Sequence, residues 1–133
     1  MLCRFGSQGT GPGQIGQYAS GICFTLDGAH LLVAEHDNSR LSLFTAEGVF
    51  LKHIGSGTVS DGDKDVSFGV DGEILVTDGR NNRICVFSSS GDKLLTTWRS
   101  RATSDFQFQS PTALAVSGPY LYVLSRGLDV FAY

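Results

Sequence analysis

Reactive side chains are sparse along this 133-residue sequence, and their spacing limits what they can do. Asp61-Gly62-Asp63-Lys64-Asp65 opens like a calcium loop, in which alternate carboxylates offer oxygen ligands to one hard cation. That loop needs glycine at its sixth position and glutamate at its twelfth; here these are Val66 and Gly72, so the segment reads as a solvated acidic loop. His36 beside Asp37 suggests a base with an orienting acid, but no serine or cysteine nucleophile accompanies it in a local motif, and it reads as an exposed turn histidine. Cys3, Cys23 and Cys85 contain no C-x-x-C pair and fit buried thiols in a reducing compartment. Gly9, Gly11 and Gly13 precede the first strand with no Lys-Ser or Lys-Thr after them, which argues against a phosphate cradle. The expectation is a chain with no catalytic residue, no cofactor and no metal.

The elements that would carry these residues follow from composition and repetition. Glycine is abundant, 17 residues, while proline is only 3, a balance that fits many short strands joined by tight turns. The formal net charge of -3, from 10 Lys and Arg against 13 Asp and Glu, disfavours nucleic acid or an anionic membrane as partner. The opening MLCRFGSQGTGPG has no apolar signal region, and the apolar runs at Leu31–Ala34 and Tyr120–Leu124 are far shorter than the ~18 residues of a membrane span. These features predict a soluble chain, intracellular and cytoplasmic, with no membrane contact.

Self-similarity sets the organisation. Val33 to Phe44 (VAEHDNSRLSLF) aligns with Val76 to Phe87 (VTDGRNNRICVF) at a constant offset of 43 residues, pairing Asn38 with Asn81, Arg40 with Arg83 and Phe44 with Phe87. Asp27-Gly28 aligns with Asp71-Gly72, and Gly48 with Gly91. A degenerate third copy aligns Leu114-Ala115-Val116 with Ile22-Cys23-Phe24, and Tyr122-Val123 with Leu32-Val33 and Leu75-Val76. Each copy predicts four strands, a to d; in the second they run at about Lys64–Val70, Glu73–Asp78, Arg83–Ser88 and Lys93–Trp98. Four antiparallel strands in about 43 residues form the unit of a β-propeller blade, which is apolar on both faces because a neighbour covers each.

The motifs carry a family resemblance. RFGSQGTGPGQI, the strand pair ending VAEHDNSRLSLF, and Gly48, Leu51, Ile54 and Gly55 in G-x-x-L-x-x-I-G together resemble an NHL repeat. The second copy matches the family pattern from Asp71 to Phe87, and the third keeps Phe108, Pro111 and Ala113 to Val116 but lacks the Asp, Asn and Arg. Ser20 and Lys64 stand where the pattern has proline, and Glu35 replaces the first Asp. The resemblance implies an all-β chain of three blades, repeats at about 6–55, 56–98 and 99–133, and half of a six-bladed ring. Residues 1–5, aligned with the last strand of a blade, would be the outer strand of a neighbouring blade. That strand could complete the third blade of a second copy, giving a homodimeric ring; the other reading is a fragment of a longer propeller.

Within each b–c hairpin the acid and arginine, Glu35 with Arg40 and Asp78 with Arg83, should face each other, with Asn38 or Asn81 taking the left-handed turn position. Phe44, Phe87 and Phe131 should pack between blades. The b–c and d–a connections emerge on one face of a propeller, so that face would carry Arg80, Arg99, Arg101 and Arg126 against Asp37, Asp61, Asp63 and Asp65. Three functions stay open: a non-enzymatic platform for protein or peptide, as in the recognition part of ubiquitin-ligase-like scaffolds that the resemblance implies; an RNA-binding propeller; and a metal-dependent lyase or hydrolase. No RING cysteine pattern occurs in the chain, so ligase activity itself would reside elsewhere.

Overall fold

A computed structural model of the chain describes residues 4–99, 109–126 and 129–132, the last group as backbone. A short parallel pair, β1 (Ser7–Gln8) with β2 (Gln14–Ile15), comes first. Three antiparallel sheets follow, each a meander of consecutive strands. The first holds β3 (Ala19–Phe24), β4 (His30–Glu35), β5 (Arg40–Thr45) and β6 (Phe50–Ile54). The second holds β7 (Val66–Phe68), β8 (Ile74–Asp78), β9 (Arg83–Phe87) and β10 (Leu94–Trp98). The third holds β11 (Ala113–Ser117), β12 (Tyr120–Ser125) and β13 (Asp129–Ala132). Helix is limited, among the described residues, to a 3-10 turn at Gly79–Asn81, and no helix is long and apolar enough to cross a membrane.

The all-β repeat reading holds. In the second unit the a strand is shorter than the apolar pattern suggested, because side chains occupy its entrance. The Asp65 amide donates to Thr77 Oγ1 (2.8 Å), and the Asp65 carboxylate accepts from Val66 N (2.9 Å). The leading residues differ as well: Arg4 and Phe5 lie outside any strand, and residues 1–3 lie outside the described residues.

Alternation along each strand sends side chains to both faces, and each face meets a neighbour. Leu32, Ala34, Leu41 and Ile54 of the first sheet pack against Val66, Phe68, Ile74, Val76 and Phe87 of the second. The second sheet's opposite face, Leu75, Ile84 and Val86, packs against Leu121 and Val123 of the third. Each buried Val, Leu, Ile or Phe side chain among these contributes about 1.5–3 kcal/mol relative to exposure, so two adjoining interfaces dominate stability. Phe44 and Phe87 are buried as expected; the Phe131 side chain lies outside the described residues.

Three positions require glycine. Gly48 (φ +92°) and Gly91 (φ +76°) sit in equivalent c–d turns, and a Cβ there would strike Phe5 and Ile54 respectively. At Gly21 the inner strand β3 meets the next blade's backbone: a Cβ would lie 2.8 Å from Lys64 O and 2.9 Å from the Asp65 Cα. The inner strands border a cleft of about 400 Å³ lined in part by Cys23, Phe24, Phe68, Val70 and Val116.

Candidate functional site

The b–c turns of the first two sheets each close over a buried carboxylate. Glu35 pairs across its hairpin with Arg40, and Asp78 with Arg83. Asp78 accepts Arg83 Nε (2.7 Å), Asn81 Nδ2 (3.0 Å), Ser60 N (3.2 Å) and the Ser60 hydroxyl. Glu35 accepts Asn38 Nδ2 (2.6 Å), Arg40 Nε (3.3 Å), Gly16 N (3.3 Å) and the Ser42 hydroxyl. Burial alone would raise the pKa of Asp78; the bonds from Ser60, Asn81 and Arg83 outweigh it and hold the carboxyl below its ordinary value. The arginines also reach the preceding d–a segment, Arg83 donating to Thr58 O (2.7 Å) and Arg40 to Thr10 O (2.7 Å).

These latches differ from the sequence expectation by one residue position. The left-handed residues are Ser39 (φ 51°) and Asn82 (φ 50°), not Asn38 and Asn81. The two asparagines instead donate their amides to the acid, because the residue three positions after it is the one that folds back over the carboxylate. The third sheet keeps the latch without charge. Ser125, buried at the position of Asp78, donates to Gln109 O (2.7 Å) and accepts from Gln109 N (2.8 Å). Its hydroxyl supplies both partners that the incoming loop needs, a substitution that alignment to an acid does not reveal.

Above these latches the connections form a charged rim. His36 Nδ1 lies 3.1 Å from Asp63 Oδ1, and Arg80 Nη1 lies 3.2 Å from Asp61 Oδ1; both pairs join neighbouring connections and remain open to solvent. Asp37 accepts Gln17 N (2.9 Å) and Tyr18 N (3.2 Å). Slight burial opposes these bonds, which nonetheless keep the Asp37 carboxyl below its usual range. Arg99 donates to Asn81 O (3.3 Å), and exposed Arg126 follows Ser125 at the end of β12. Exposed Tyr18 places its ring 6.0 Å from that of His36. The structure therefore brings Arg80 to Asp61 and Asp63 to His36, and sets Arg99 against the adjoining turn. Arg101 lies outside the described residues. Asp65, expected among these charges, turns inward and accepts Leu114 N of the third sheet (2.9 Å).

Lys64 is the residue that sequence reasoning missed. It is buried beneath the rim, and its Nζ donates to Gly62 O (2.9 Å), Glu35 O (3.2 Å) and His36 O (3.4 Å). Burial lowers its pKa, while Asp78, Asp61 and Asp63 pull it back up. Its backbone completes a second exchange: Lys64 N donates to Ser20 Oγ, and Ser20 Oγ to Lys64 O, both at 2.8 Å. The signal was its departure from the pattern proline, shared with Ser20.

Catalytic groups do not converge among the described residues. Among the described residues, no three His, Cys, Asp or Glu side chains stand close enough to hold a metal. Burial pushes the Cys23 thiol up to about 12 and the Cys85 thiol up to about 11, which makes both poor nucleophiles. The His53 ring lies tilted against Phe50, with centroids 4.8 Å apart, and its pKa is lowered by burial and by Arg40; its buried Nε2 has no hydrogen-bond partner among the described residues.

Antiparallel four-stranded meanders, stacked face to face with inner strands adjoining and charged loops on one rim, define a chain of β-propeller blades. Comparison with known proteins agrees: residues 64–87 match the model of the NHL repeat. Similar solved structures include a protein of unknown function from Bacteroides caccae, with 17% identity over 81% of this chain and 39% of that one, TM-score 0.63. A luciferin-regenerating enzyme is similar at 19% identity over 88% of this chain and 40% of its own, TM-score 0.64. A calcium-binding protein, regucalcin, from Agrobacterium tumefaciens strain C58 is similar at 18% identity over 84% of this chain and 39% of its own, TM-score 0.61. The chain thus spans about two fifths of the length of the structures it matches, and the likeness is one of fold. Comparison with curated proteins finds no match.

Proposed function

We propose that this chain is a non-enzymatic platform that binds protein or peptide through its charged rim, as the recognition part of a ubiquitin-ligase-like scaffold. The observation carrying this reading is the pair of solvent-open contacts, His36–Asp63 and Arg80–Asp61, each joining a b–c turn to a d–a connection, with exposed Tyr18 beside His36. Exposed ion pairs contribute only about 0–1 kcal/mol, so a peptide bearing its own acids and bases can exchange with them at little cost. Beneath them, Lys64 and the two buried carboxylates fix the loop backbones, so the rim offers charge on a rigid base.

The test is an array of short charged peptides probed with the chain and with Arg80→Glu/Arg99→Glu. The platform reading expects the variant to lose peptides with acidic residues and to gain basic ones. Identical capture by both proteins refutes it. Single-stranded RNA titrated at two salt concentrations provides the contrast: tight binding with a steep salt dependence would replace the protein reading with an RNA-binding one.

A further inference from the structure

The first and second sheets do not close completely on each other at the end away from the charged rim. A cleft of about 240 Å³ opens there, with Leu32, Leu43, Phe68 and Ile74 as its floor. Leu32, Phe68 and Ile74 belong to the buried core between the two sheets, and Leu43 packs against it half-buried. The mouth is polar: His30 at the start of β4, Lys52 on β6, and Ser89 and Ser90 in the turn between β9 and β10. Both walls belong to sheets that adjoin within the chain, so the cleft is bounded whether or not further blades flank them.

The repeat itself does not call for a basic mouth. Thr25 N donates to His30 O as Gly69 N donates to Glu73 O, which makes Glu73 the counterpart of His30. Lys52 lies opposite Leu43 on the neighbouring strand, and Thr96 lies opposite Val86 in the same way. The second sheet thus carries an acid and a threonine where the first carries a histidine and a lysine. Val86, the counterpart of Leu43, is buried, whereas Leu43 is left half-open to the cleft.

Lys52 Nζ donates to Asp92 Oδ1 (2.8 Å) beside the mouth, and the Asp92 side chain is 73% exposed. That contact shows the species this ammonium takes, a carboxylate held mostly in water. Exposed pairs of this kind are weak, so a second carboxylate can displace the first. The other nearby acid, Asp27, is already engaged by the Thr25 hydroxyl (2.5 Å) and by Ala29 N (2.9 Å). Thr25 Oγ1 also accepts His30 N (3.0 Å), which fixes the backbone carrying the imidazole. An imidazole and a serine hydroxyl can each donate a hydrogen bond, and a carboxylate accepts several. At ~30 Å³ per water, the 240 Å³ cleft has room for about eight, which is less than the ~300–1,000 Å³ of sites for drug-sized ligands. It suits a small molecule better than a chain segment.

We propose that this cleft binds a small amphipathic carboxylate. Its apolar body lies on Leu32, Leu43, Phe68 and Ile74, and its carboxylate takes the Lys52 ammonium in place of Asp92. His30 and Ser89 supply further donors at the mouth.

Hexanoate titrated into the isotope-labelled 133-residue chain tests this by nuclear magnetic resonance. The amides of Leu43, Phe68, Ser89 and Ser90 should shift saturably with hexanoate. They should not shift with hexylammonium, which has a similar chain and the opposite charge. Equal shifts with both, or no saturable shift with hexanoate, overturn the proposal. Lys52→Met should weaken hexanoate binding by about tenfold or more, through loss of a charged hydrogen bond. Lys52→Gln replaces it if that variant does not fold. Asp92→Asn removes the competing carboxylate and should strengthen binding by about two- to fivefold. An affinity unchanged in the lysine variant, or not raised in Asp92→Asn, overturns the proposal.

Discussion

Replacing Asp78 by alanine removes the acceptor at the centre of the second latch and leaves its donors in place. Arg83 then carries a charge whose side chain is only 17% exposed. Breaking a buried ion pair from one side costs about 3–5 kcal/mol. Arg83 keeps its bond to Thr58 O and water reaches part of it, which places its share near the lower bound, about 3 kcal/mol. The Ser60 amide loses its partner too and adds about 1 kcal/mol, whereas Asn81, in an exposed turn, rehydrates. A total of about 3–4 kcal/mol corresponds to a fall of about 1.5–2 M in the urea midpoint. The assay is equilibrium unfolding followed by the fluorescence of Trp98, the sole tryptophan, together with circular dichroism. Asp78→Ala/Arg83→Met should recover about 1 kcal/mol or more, since no unpaired charge remains. A midpoint shift below about 0.3 M for Asp78→Ala would refute the latch argument. The pH dependence has a definite sign. A carboxyl held below its ordinary value contributes stability above the unfolded pKa of about 3.9 and loses it as pH falls through the folded value. The chain should therefore lose stability below about pH 4 more steeply than Asp78→Asn does.

Phe87→Ala should cost about 3–5 kcal/mol in urea unfolding, whereas Phe24→Ala, at an exposed site, should cost under about 1 kcal/mol by the same measurement. Lys64→Met leaves three carbonyls without their ammonium donor and should lower stability by about 2–3 kcal/mol at pH 7. Because burial lowers the folded pKa of Lys64, the unfolded chain holds that proton more tightly, so the Lys64 contribution rises with pH toward about 10.4; unfolding at pH 7 and pH 10 should show the rise in the chain and its loss in Lys64→Met. Cys85, with its thiol near 11, should be alkylated at pH 8 at least about 100-fold more slowly in the folded chain than in urea, as read by peptide mass mapping.

Much of the blade architecture was legible because its determinants are local and recur. Asp27-Gly28 and Asp71-Gly72 mark the same turn, and Val33 to Phe44 repeats as Val76 to Phe87 with its alternation intact. The facing of Glu35 with Arg40 and Asp78 with Arg83 follows from hairpin length alone. What escaped depends on distant partners. Asp65 belongs to an acidic run in sequence, yet its carboxylate serves an amide of the third sheet, 49 residues away. Ser125 does the work of an acid because one hydroxyl both donates and accepts, which no charge pattern signals. Asn38 and Asn81 have the right residue type for a left-handed turn, but the buried carboxylates claim their amides and pass that conformation to Ser39 and Asn82. On the rim, the residue types were readable while their pairings were not, since His36–Asp63 and Arg80–Asp61 depend on how one blade's loop lies over the next.

Ser20 and Lys64 occupy equivalent positions in adjacent blades, and they are bonded to each other. A proline at position 64 would have no N–H to give, and one at position 20 no hydroxyl to receive it. The two residues therefore act as one unit: proline at 20 strands the Lys64 amide, and proline at 64 strands the Ser20 hydroxyl and the carbonyls around the lysine. Proline at either position alone leaves a polar partner of the other unpaired, so the residue one blade tolerates here depends on the residue its neighbour carries.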